Sequence, residues 1–133
     1  LIWNYVMKFR GLCLIAGSLF LSSHSQASDL LDIDTNYIKC QFVYENTGDL
    51  NRLEVCTSKA LDQLDSIVKS QREKSNYKKK NEWQKTNVSL NKHLELCESN
   101  AIKSQKNSTI KKDILSCRFF HSRSLAYEAS LIN

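Results

Sequence analysis

From residue 50 onward, apolar residues recur at steps of three and four. Leu50, Leu53, Cys56, Ala60, Leu64, Ile67 and Val68 mark one face of a helix reaching about Lys74. Trp83, Leu90, Leu94, Cys97 and Ala101 mark a second helix, over about Glu82 to Ala101. Ile114, Cys117, His121 and Leu125 mark a third, over about Ile110 to Leu131. Polar breaks separate them at Asn46–Asp49, at Ser75–Asn76 and at Lys103–Thr109. In the first break Thr47 or Asp49 is placed to cap the helix that follows. Upstream, Ser28–Asn36 (SDLLDIDTN) is polar and acidic and reads as loose. Tyr37–Tyr44 fits a short helix or an extended segment equally well.

Composition sharpens the fold class. The chain has no proline, and Gly48 is its one glycine beyond residue 27. A sandwich or barrel needs turn residues every 8–12 positions or so, and they are missing. The expected fold is all-α: a small antiparallel bundle of three long helices and a short first segment.

The first residues set the compartment. Met7-Lys8-Phe9-Arg10 is a short basic stretch, Gly11–Leu21 is an apolar run, and Ser25-Gln26-Ala27 is a small-x-small cleavage site. The apolar run is shorter than the ~20 residues of a membrane span. Residues 1–27 are therefore read as an upstream extension plus a cleaved signal peptide. Residues 28–133 are read as one domain, periplasmic or secreted, with no stable membrane insertion after cleavage. Lys8 and Arg10 leave with the signal, so 19 basic residues become 17 against 14 acidic, a net charge of +3. That is short of a nucleic-acid-binding extreme.

In an oxidising compartment Cys40, Cys56, Cys97 and Cys117 are disulfide candidates first. Cys40 and Cys56 lie eight residues either side of a turn near residue 48, and Cys97 and Cys117 ten either side of one near 107. Cys56 and Cys97 lie about as evenly, some twenty residues out, around the break near 76. Equal distance from a turn means equal height in an antiparallel bundle, so Cys56, Cys97 and Cys117 share a layer, which Cys40 joins if its segment is helical or folds back. Two disulfides are expected, and three connectivities remain open. A zinc site would need C-x₂₋₄-C or H-x₃₋₅-H spacing, so no metal is expected.

Around Cys56 the chain reads LEVCTSKALDQLD over Leu53–Asp65. This block, with Leu61, Leu64 and Asp65 following the Cys, resembles the small secreted bacterial proteins of the lysozyme-inhibitor LprI N-terminal-domain family. Cys40 matches that family's earlier Cys, Cys97 its third, and Cys117 with Arg123 and Leu125 its fourth. The resemblance spans about residues 37–127. One departure is clear: where the family carries Gln-x-x-Trp and then Arg, this chain has Ser89 to His93, and its Trp sits earlier, at Trp83. The resemblance implies a small disulfide-linked helical protein of the periplasm or cell surface. Lysozyme binding is attributed to some members.

Candidate chemistry is sparse. His121 lies four residues after Cys117, which would allow a Cys–His nucleophile pair. A bridged Cys117 removes it, and phosphate-loop, G-x-S-x-G and H-E-x-x-H motifs are missing from the sequence. The expectation is a non-catalytic binding protein without cofactor. Animal-type lysozymes are strongly basic, so an inhibitor of net positive charge must present carboxylates locally. The candidates are Asp29, Asp32, Asp34, Glu45 and Asp49. An alternative partner is an anionic surface or polymer, met by Arg72, Lys74, Lys78, Lys79, Lys80 and Lys85 around the second break.

Overall fold

The computed structural model describes residues 28–104 and 107–132, leaving aside the side chains at 77, 107–109 and 132. The expected signal and its cleavage site lie outside the described residues. The fold is all-α. Helix α1 covers residues 28–47, α2 Leu50–Lys74, α3 Tyr77–Lys103 and α4 Asn107–Ile132. The chain divides into two compact units, Leu1–Asp32 and Ile33–Asn133, and the bundle is the second.

The first segment is the main departure from expectation. Residues 28–36 are helical rather than loose, and α1 is a full-length helix rather than a short piece. Leu30, Ile33 and Tyr37, at steps of three and four, are buried while Asp29 and Asp32 stay exposed. The acidic residues mark the wet side of an amphipathic helix, not a loop.

Local chemistry ends each helix. Gly48 takes the left-handed conformation, φ 67°, and its N–H donates to Tyr44 O at 2.7 Å, which closes α1. Asp49 is the N-cap of α2, its Oδ1 accepting from the Arg52 N–H at 3.0 Å. Thr47, the other candidate cap, donates its hydroxyl to Val43 O at 2.7 Å instead. At the second break Ser75 N–H donates to Arg72 O, and Asn76 Oδ1 accepts from Lys79 N–H at 3.0 Å. The Asn76 cap starts α3 at Tyr77, not at Glu82, so Lys78–Lys80 lie in a helix and not in a loop. Likewise α4 starts at Asn107 rather than Ile110.

Helix α4 is the hub. It packs against both α2 and α3, while α2 and α3 share little direct packing. It also meets α1, where Tyr37 stacks on Phe119 with ring centroids 3.6 Å apart. Tyr37 completes the contact by donating its hydroxyl to Ser116 Oγ at 3.3 Å and accepting from Gln41 Nε2 at 3.1 Å. Serving three neighbours, α4 buries Leu115, Cys117, Phe119, Ala126 and Ala129. The expected face of Ile114, Cys117, His121 and Leu125 is one side among several, and all but Cys117 are half-buried. In α2 the core positions are Leu53, Thr57, Ala60, Leu64 and Gln71. Thr57 is tolerated there because its hydroxyl donates to Leu53 O at 2.7 Å. Leu50, Ile67 and Val68 are half-buried.

Two disulfides brace the bundle. Cys40–Cys56 joins α1 to α2 with Cα atoms 6.1 Å apart, and Cys97–Cys117 joins α3 to α4 at 5.8 Å. The bridged pairs are the two that flank the first and third turns.

Candidate functional site

The five carboxylates do not form one free patch. Asp34 holds Arg123 through two hydrogen bonds, Arg123 Nε to Oδ1 at 2.8 Å and a terminal guanidinium nitrogen to Oδ2 at 3.0 Å. This fork ties α1 to α4 across half-buried side chains. Glu45 faces Lys112 at 3.9 Å. Asp49 is occupied as the α2 cap. Asp29 and Asp32 are exposed on helical residues of the first unit. Three of the five candidates thus have internal partners, and neutralising them would perturb the scaffold as well as any interface.

The six basic candidates lie around the α2–α3 connection. Arg72 and Lys74 sit in the last turn of α2, where the helix dipole favours them. Lys78–Lys80 follow the Asn76 cap in α3, with no acidic residue in that first turn. None of the six makes an ion pair among the described residues. The Arg72 guanidinium lies 4.6 Å from the centre of the Trp83 ring. Trp83 itself is buried, and its Nε1 finds no acceptor among the described residues. Its role is to receive Arg72 and anchor the end of the bundle, not to project as a stacking platform. An open groove of about 590 Å³ beside it combines Arg72, Lys69 and Lys80 with Asp65 and Glu73, so its charge is mixed.

The seam between α3 and α4 is different in character. Leu90, His93 and Leu94 of α3 and Phe120, His121 and Ser124 of α4 line a shallow groove of about 300 Å³, with the Cys97–Cys117 bridge in its wall. A second groove continues it through Leu90 and Ser124 to Arg123, Tyr127 and Glu128. Phe120 is 61% exposed and Tyr127 50%. The apolar stripe read from the sequence, Ile114, Cys117, His121 and Leu125, includes neither. Their own spacing of seven, two helical turns, was the available signal.

His121 lies in this seam, its Nε2 donating to Asn91 Oδ1 at 2.8 Å. Burial pushes its pKa below the ordinary histidine value, against smaller upward pulls from Glu98 and Asp65. Cys117 is bridged to Cys97, so no thiol stands beside His121. His93 lines the same groove. Among the described residues no three His, Cys, Asp or Glu side chains gather in a metal-binding group. No described helix is long and apolar enough to cross a membrane.

No protein-family model, curated protein or solved structure matches the chain.

Proposed function

We propose that this chain is a periplasmic or secreted binding protein that acts without catalysis, by covering part of a partner protein's surface. The observation that carries this reading is the α3–α4 seam. It holds two half-exposed aromatic side chains, Phe120 and Tyr127, on a backbone fixed by the Cys97–Cys117 bridge. Rigid aromatic anchors are the side chains that dominate protein interfaces, because they bury much area at little entropy cost. The two disulfides support an oxidising compartment.

The resemblance around Cys56 makes a lysozyme-type muramidase the first partner to try. With Asp34, Glu45 and Asp49 engaged internally, the contact rests on the apolar seam more than on a carboxylate patch. The test is a cell-wall turbidity assay at physiological salt, with oxidised protein titrated into a lysozyme. Stoichiometric inhibition is expected, weakened by about tenfold or more when Phe120→Ser and Tyr127→Ser are combined, as for the loss of interface hot spots. Full lysozyme activity at a large excess of the protein would remove lysozyme as the partner. Inhibition untouched by the double substitution would remove the seam as the contact.

A second reading, an anion-binding envelope module, has its own observation. Lys78, Lys79 and Lys80 occupy the first turn of α3, where the helix dipole is already positive and acidic residues are preferred. Binding through that cluster would fall steeply with added salt, which binding through the seam would not.

A further inference from the structure

A groove of about 340 Å³ runs between α1 and α2, on the side of the Cys40–Cys56 bridge. Its charge is of one sign. Lys39 contributes from α1, Arg52 and Lys59 from α2, and no carboxylate lines it. None of these three cations makes an ion pair among the described residues. Between them the surface is apolar: the flank of Tyr37, Val43, Ala60 and the disulfide sulfurs. The amides of Asn36 and Gln63 add neutral hydrogen-bonding groups at one end.

The register is set by the same bridge that braces the helices. Cys40 opposite Cys56 fixes an antiparallel alignment about the turn at Gly48. That alignment sets Lys39 level with the stretch of α2 between Arg52 and Lys59. These two lie seven residues apart on one face, roughly 10 Å along the axis at 1.5 Å per residue. Lysine and arginine stems can rest on the apolar floor while their heads converge over it. The groove is in the size range of small-ligand sites, which combine an apolar lining with a few convergent polar groups. Gln63, its lining residue nearest the Arg72–Lys85 cluster, lies nine residues before Arg72 on α2, about two and a half helical turns away.

We infer that the α1–α2 groove binds a small amphiphilic anion, a phosphate or carboxylate head on a short apolar chain, with the head held by Lys39, Arg52 and Lys59. The apolar chain lies on Tyr37, Val43 and Ala60. This site is on a different face from the α3–α4 seam and does not depend on it.

The test is a heteronuclear NMR titration of the full oxidised chain with octyl phosphate and with octanoate, below micelle formation. Inorganic phosphate and octyl glucoside serve as the head-only and tail-only controls. Saturable shifts of the Asn36 and Gln63 side-chain amides are expected, with at least one amphiphile binding about tenfold tighter than either control, as for charge-assisted hydrogen bonds added to apolar burial. Combining Lys39→Gln, Arg52→Gln and Lys59→Gln should weaken binding by at least about tenfold, and Lys59→Gln alone by about threefold. Lys92→Gln, at an exposed position on α3, should change nothing. A parallel titration with phosphatidylglycerol vesicles assigns the source of the head group: response to vesicles as well supports a membrane lipid, response to dispersed amphiphile alone a free metabolite. No saturation by either amphiphile, equal binding of octyl glucoside, or full binding by the triple variant would overturn the inference.

Discussion

Gly48 shows how a single residue sets the connection between two helices. A Cβ built there would meet nothing within 4 Å, so the site is not crowded. What requires glycine is the positive φ. Gly48→Ala is expected to cost about 1 kcal/mol in urea unfolding, through backbone strain alone, and Gly48→Asn about half that, since Asn tolerates the left-handed region. An unchanged midpoint for Gly48→Ala would mean that the turn relaxes. At this scale the sequence was readable where chemistry is local. The Asn46–Asp49 turn and the Asp49 cap follow from side chains that reach backbone groups two or three residues away. The ties of Asp34 to Arg123 and of Tyr37 to Phe119 were not readable, because they join positions about eighty or ninety residues apart. Asp34 looked like a free carboxylate for the same reason.

Among elements, the periodicity of α2 led to its true bounds, while α1 and the ends of α3 and α4 were misjudged. The stripe Leu30, Ile33, Tyr37 was hidden by the aspartates between its members. The start of α3 was hidden by three lysines that read as a solvated loop, although the Asn76 cap was present in the sequence. The bracing disulfides belong to this scale. Each closes a loop of similar length, 16 residues for Cys40–Cys56 and 20 for Cys97–Cys117. Chain-entropy reasoning gives about 3 kcal/mol for each. Replacing either pair by serines is therefore expected to lower the unfolding free energy by a similar amount, read from denaturant curves of the two double variants. A difference of more than about 2 kcal/mol would show that one bridge acts through native packing rather than through loop closure.

For the whole molecule, the hub position of α4 was the least legible feature. A helix touching three others carries apolar residues around most of its circumference, so one-face periodicity finds only part of its core. The same crowding acts on His121, which α4 presents to Asn91 and Glu98 of α3 and to the field of Asp65 on α2. Its lowered pKa means that the folded state resists taking up a proton that the unfolded chain accepts readily. The unfolded chain then binds more protons, so stability rises with pH. That contribution is complete above the ordinary histidine value of about 6.5 and is lost as pH falls through the lower folded value. Thermal midpoints measured from pH 8 down to pH 5 should fall less for His121→Gln than for the unsubstituted protein. Equal slopes would place the pH dependence elsewhere. The placement of the two bridges carries one more consequence. A backbone cut inside either bridged loop leaves the oxidised chain in one piece. A cut at Ser75–Asn76, or anywhere between Cys56 and Cys97, releases two self-linked halves held together by noncovalent contacts alone, chiefly those of α1 and α2 with α4. The α2–α3 connection is thus the natural place to divide this molecule into complementing fragments.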